Sequence, residues 1–184
     1  DAGAEIGNHT YSHRGLNTTP IADYEADILK ADDRLRRLTG QEKIEFFRSP
    51  MLQTGPVPET KQRLESFLAA HGYRQSPVTF DNSDWMFAYV LAHARKQGDE
   101  EQIQRVKAEY VPYMESVIAF FEKRSVELIG RDFPQILLIH ANDLNAELLP
   151  QLLAMLQRRG YDFISLRQAL QDPVYGMKNT YAGT

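Results

Sequence analysis

Glu5-Ile6-Gly7-Asn8-His9-Thr10-Tyr11-Ser12-His13 narrows the chemistry of this chain more than any other stretch of it. Two of the five histidines stand four residues apart there. On one helical turn both imidazoles would leave the same face and converge on a point that suits a divalent metal. The short apolar run at 4–6, followed by Gly7-Asn8, predicts a strand that leaves its sheet and turns into a loop. The pair is therefore expected at a strand's C-terminal end. Two histidines alone make a poor zinc site, which needs a third protein ligand, often a carboxylate, and an open position for water.

At 184 residues the chain has the size of one domain and can bury roughly 70 % of the surface its unfolded form exposes. A net charge of −4 without a basic patch argues against a nucleic-acid partner. The chain has no cysteine, so disulfides and thiolate metal sites are excluded, and any zinc must be held by His, Asp or Glu. No apolar run reaches the length of a transmembrane span, and the N-terminus lacks the pattern of a signal peptide. The sequence starts at Asp1, without Met, a few residues before its most informative motif, which leads us to expect a segment upstream.

Thr19-Pro20 predicts a helix start, with Thr as N-cap, and Ile21, Tyr24, Ile28, Ala31, Leu35 and Leu38 form its apolar stripe as far as Gly40. Its polar side, with Asp23, Asp27, Asp32, Asp33 and Arg36, reads as a solvated face. A short strand follows at 43–47 and a helix at 59–71, then a strand at 76–80 and a helix from Asp84 to Gly98. Residues 99–130 are helical, with Pro112 as an expected kink. Residues 135–139 form a continuous apolar run of the kind buried on both faces in parallel sheets. A helix at 144–159, a strand at 161–164 and a short helix capped by Ser165 complete the order. Strands alternating with helices of this length predict an α/β fold with parallel pairing. The five strands are too few for a closed barrel, so the sheet is open or strands lie upstream.

In such folds chemistry gathers at the C-terminal ends of the strands. The residues standing there are His9 and His13, then Arg48, then Asp81 and Asp84 with Trp85, then His140. Each has a structural alternative: Arg48 as an ion-pair partner, the two aspartates as helix caps, Trp85 as a packed aromatic. His140, closing a buried apolar strand, must find partners for its ring nitrogens.

These same residues carry a resemblance to the polysaccharide deacetylase family, the NodB homology domain or carbohydrate esterase family four, from Glu5 to about Leu170. His9-Thr10-Tyr11-Ser12-His13 is similar to that family's His-Ser/Thr-x-x-His metal motif. Arg48-Ser49-Pro50 resembles its Arg-x-Pro loop, Asp81-Asn82-Ser83-Asp84-Trp85 its Asp-x-x-Asp-Trp motif, and Leu138-Ile139-His140 its Leu-x-His motif. The resemblance implies a distorted seven-stranded β/α barrel, incomplete here at its N-terminus. It also implies removal of acetyl groups from an N-acetylglucosamine polymer or acetylated xylan with a divalent metal, Zn2+ first among the candidates. On this similarity His9 and His13 hold the metal and His140 is the general acid. Asp81 orients His140, Arg48 holds the base aspartate, the Met51 N–H receives the oxyanion and Trp85 walls the sugar pocket.

The departures are specific. Nothing before His9 matches the family's Asp-Asp pair, which supplies the base and the third ligand; Asp1 is isolated. Met51-Leu52 replaces an aromatic-Gly pair, and Ala141 stands where Asp is common. The helical stretch 99–130 exceeds the family core and reads as an insertion within a single catalytic domain. Truncation explains the first departure and the strand count together. A non-catalytic carbohydrate-binding or scaffolding member is the alternative reading, and a metal amidohydrolase acting on a small non-sugar amide a third. The family resemblance implies an extracellular, periplasmic or envelope location; the oligomeric state is left open.

Overall fold

The computed structural model describes residues 4–183, which fall into two compact units: residues 4–77 with 178–183, and residues 78–177.

In the first unit three extended segments lie side by side and parallel. Asn8 bridges to Phe47, and β1 (Phe46–Phe47) pairs with β2 (Arg74–Gln75). The ladder runs through Asn8 N to Phe46 O at 2.7 Å, Arg48 N to Asn8 O at 3.0 Å, and Ser76 N to Phe47 O at 2.8 Å. Helix α1 (Ile21–Thr39) buries Tyr24, Ile28 and Ala31, as its stripe requires. Pro20, not Thr19, occupies its cap position, because the Thr19 hydroxyl donates back to the Gly15 carbonyl at 2.8 Å. Gly40 ends the helix in the left-handed region that glycine enters without a Cβ clash. Helix α2 (Pro58–Ala70) adds Leu64 and Leu68, and with Leu16, Ile44, Phe47 and Tyr73 these residues form one core.

The second unit is helical around a single parallel bridge, Phe80 to Leu137. Helix α3 (Asp84–Gln97), α4 (Glu100–Ile129) and α5 (Asp143–Arg158) pack on one another. Helix α4 contributes Ile103, Val106, Tyr110, Met114 and Ile118, and α5 contributes Leu144, Leu148, Leu152, Met155 and Leu156. Asp99 caps α4 through its carboxylate to Gln102 N, and Asn142 caps α5 through Asn145 N. Pro112 lies inside α4, which continues through it. Ser165 and Gln168 form the capping box of α6 (Leu166–Ala169).

Helices follow the sequence closely, and strands do so only in part. The stretches expected as five strands yield two strands of two residues and two isolated bridges. Residues 161–164 are extended without a ladder, and Phe163 and Ile164 remain exposed. Leu149, on α5, is also exposed. All pairing among the described residues is parallel, as the alternation of strands and helices requires. No helix among the described residues is long and apolar enough to cross a membrane.

Candidate functional site

Within each unit, the expected site residues stand just beyond a residue paired in parallel. His9 follows Asn8, Arg48 follows Phe47, Asp81 follows Phe80, and His140 comes shortly after Leu137.

Asn8 fixes the first loop from below. It is 1 % exposed; its amide donates to Ile28 O at 2.9 Å and to the Tyr73 hydroxyl at 2.8 Å, and its carbonyl accepts from Thr10 N at 2.9 Å. The Tyr73 hydroxyl passes the connection to Asp32 at 2.6 Å. Asp27 holds the loop from the side: one carboxylate oxygen accepts from Tyr11 N at 3.1 Å, Ser12 N at 2.8 Å and Ser12 Oγ at 2.9 Å. Burial alone would raise the Asp27 pKa, but the donors of Ser12, Tyr11 and Thr10 outweigh it and hold the carboxyl below the usual range. Asp27 and Asp32 are thus anchors and not the solvated face that the sequence predicts.

Within this loop the rings of His9 and His13 lie 4.9 Å apart, edge to face. His9 Nδ1 lies 2.7 Å from the Arg48 carbonyl oxygen. Since a carbonyl only accepts, Nδ1 carries the proton, and the neutral ring keeps its lone pair on Nε2, the form that metals take. A backbone carbonyl behind a ligating histidine is the usual way to set ring orientation. Two imidazoles so arranged fit part of a divalent-metal site. Among the described residues no group of three or more His, Cys, Asp or Glu could hold an ion, and Asp1 lies outside those residues.

Arg48 is half buried, and burial lowers its pKa from the ordinary arginine value. Its guanidinium donates to Ser76 O at 3.1 Å and Ser76 Oγ at 3.0 Å; Ser76 is the partner found for it, where the resemblance implies an aspartate. Met51, with φ 52°, and Leu52, with φ 53°, form a tight left-handed turn after Pro50. The non-glycine residues with positive φ among those described are Thr10, His13, Met51 and Leu52. All four lie in the two loops singled out by the sequence, and backbone strain of this kind concentrates where geometry is imposed for function.

In the second unit the partner of His140 is Asp84. The imidazole Nδ1 lies 2.7 Å from Asp84 Oδ1, and His140 N donates to Oδ2 at 2.8 Å. Asp84 is fully buried while the imidazole is 47 % exposed. The ring is therefore gripped at Nδ1 with its other edge toward solvent. Asp81, expected in that role, is exposed and accepts from Asn82 N at 2.8 Å. This replaces Asp81 by Asp84 as the residue that orients His140. The reason is local: Asp84 opens α3 beneath the chain at 140, whereas Asp81 folds back on its own loop.

Behind Asp84 stands Asn145, 5 % exposed, which donates to Asp84 Oδ2 at 2.7 Å and to His140 O at 2.8 Å. Its carbonyl accepts from the Tyr110 hydroxyl, whose pKa is raised by burial and then by the Asp84 charge. Sequence reasoning missed Asn145; the signal was a polar residue beside Leu144 on the apolar stripe of α5. Trp85, one residue beyond Asp84, is exposed.

Residues 1–75 match the family model described as polysaccharide deacetylase. No curated protein is significantly similar to the chain. Among solved structures, a mutant of a CE4 family pseudoenzyme with restored enzymatic activity is similar at 19 % identity with a TM-score of 0.57, over 92 % of this chain and 48 % of that one. The wild-type CE4 family pseudoenzyme from Bacillus anthracis is similar at 18 % identity with a TM-score of 0.55, over 90 % and 46 %. The chain thus shares the CE4 fold and spans about half the length of the structures it matches.

Proposed function

We propose that this chain, whose residues 1–75 match the polysaccharide deacetylase family model, serves the metal-dependent removal of acetyl groups from a glycan, N-acetylated glucosamine polymer or acetylated xylan. The observation that carries the reading is the strained, clamped loop holding His9 and His13, whose rings are 4.9 Å apart with the tautomer of His9 set by the Arg48 carbonyl.

His9 and His13 would hold a divalent ion, zinc being suited to imidazole ligands. When bound, such an ion polarises an acyl carbonyl and makes water more acidic. His140 would give its Nε2 proton to the leaving amine or alcohol, since Nδ1 is committed to Asp84. Asp84 keeps the ring from turning, and Asn145 keeps Asp84 from turning. The Arg48 guanidinium supplies fixed positive charge, and Met51 N–H is the candidate donor to the oxyanion. Trp85 offers an exposed aromatic face for a sugar. The barrel architecture, the insertion spanning α4 and an extracellular or envelope setting belong to this same reading.

A second reading is a glycan-binding protein without turnover. Two observations favour it: the described residues give two metal ligands and not three, and the similar solved proteins are described as pseudoenzymes. Acetate release from tetra-N-acetylchitotetraose and from acetylxylan, with zinc supplied, separates the two. The deacetylase reading expects release from at least one substrate, and loss of both zinc and release in His9→Ala. Zinc uptake or glycan binding without any release would establish the second reading.

A further inference from the structure

Asp81 is left without a role once Asp84 is seen to hold His140, and it lines a cavity that the chemistry above does not use. This open depression of about 400 Å3 is formed by the 81–83 loop and one stripe of α4, chiefly Asp81, Ser83, Tyr113, Ser116, Phe120 and Phe121. Tyr113, Ser116 and Phe120 succeed one another at steps of three and four, so they share a helix face.

The loop is held before any ligand arrives. Ser83 N donates to the Tyr113 hydroxyl at 2.9 Å and Asn82 Nδ2 to Leu138 O at 2.6 Å. Asp81 is exposed, and Asn82 N is the partner of its Oδ1, which leaves Oδ2 for an incoming donor. Phe120 is 54 % exposed, with Phe121 against it at 5.2 Å, edge to face. The Arg124 guanidinium lies 5.3 Å from the Phe120 centroid.

A shallow hollow with one presented aromatic ring, a carboxylate acceptor and a hydroxyl suits a pyranose. The sugar's C–H face packs on the ring, and its hydroxyls donate to the carboxylate in charge-assisted bonds. An anionic ligand would meet Asp81, and a cationic one would meet Arg124 beside the ring. The site therefore favours an uncharged sugar. We propose that the 81–83 loop and α4 form an accessory glycan subsite that binds a neutral pyranose of the substrate other than the one undergoing reaction. Naming a glycan as ligand rests on the deacetylase reading.

The test is titration of tetra-N-acetylchitotetraose into the 184-residue chain with EDTA present, read by amide NMR shifts and calorimetry. The subsite predicts shifts at 81–83 and 113–121. It predicts binding weakened about tenfold or more in both Asp81→Asn and Phe120→Ala, with Phe120→Trp retaining it. Both side chains are exposed, so unchanged melting curves exclude unfolding as the cause. Absence of shifts at those residues, or wild-type affinity in Asp81→Asn and Phe120→Ala, overturns the proposal. Because neither metal nor turnover is needed, a protein that binds here but releases no acetate refutes the deacetylase reading and leaves the subsite. Release without binding here does the reverse.

Discussion

Asp27 shows how much can depend on one carboxylate outside the His9–His13 pair. It gathers three donors from the loop that carries His9 and His13, so Asp27→Ala is expected to cost about 1–2 kcal/mol of stability and to weaken zinc binding about 10–100-fold, as loss of an outer support does. Calorimetric zinc titration beside a thermal melt checks both. The pH dependence follows from the sign of the shift. The folded pKa of Asp27 lies below its ordinary value of 3.8, so its contribution is complete above that value and is lost as pH falls through the folded pKa. Protection of the Tyr11 and Ser12 amides should therefore collapse at acid pH in the wild type and be absent already at neutral pH in Asp27→Ala. Asp84 is the counterpart in the second unit. Asp84→Ala would remove the partner of His140 N, of His140 Nδ1 and of one of the two Asn145 Nδ2 N–H groups and should destabilise by about 3 kcal/mol, read by denaturant unfolding. The positions of His9, Arg48 and His140 just beyond paired segments were legible, because such residue types at strand ends are uncommon together. Asp27, Asn145 and the exchange of Asp81 for Asp84 were not, because a hydrogen-bond partner is decided by where two segments meet. Sequence periodicity reports only which face a residue occupies.

At the level of elements, helices were legible because each carries its own signal: a stripe at steps of three and four, a cap such as Asp99 or Asn142, and a terminating glycine such as Gly40 or Gly98. Strand extent needs a neighbour. The apolar run 135–139, the stronger strand signal in sequence, finds Phe80 at a single bridge, and the run 161–164 finds no ladder partner among the described residues. The long helix α4 is held by its buried stripe, so Met114→Ala, at a site with no exposure, should cost about 2–5 kcal/mol. Met51 makes the opposite prediction. Its side chain is 59 % exposed and its φ is 52°, so Met51→Gly relieves backbone strain with little lost packing. That variant should gain up to about 1 kcal/mol, and chemical denaturation would show it as a higher midpoint. If the strained turn serves to place the Met51 N–H, the gain in stability should come with slower acetate release.

For the molecule as a whole, the resemblance to the polysaccharide deacetylase family was legible from four short motifs; residues 1–75 match that family's model, and the CE4 fold is shared over most of this chain and about half of its structural neighbours. The departures were legible too: no Asp-Asp step precedes His9, and Met51-Leu52 replaces the aromatic-Gly pair. What joins fold to function is the claim that His140, gripped by a buried Asp84, is the proton donor of an acetyl-removing reaction. The most direct test is the rate of acetate release from tetra-N-acetylchitotetraose by zinc-supplied wild-type protein and by His140→Ala, with zinc content measured on the same samples. The account predicts that the variant keeps its zinc and loses release by about 100-fold or more. A variant that keeps its zinc and releases acetate at the wild-type rate would contradict it.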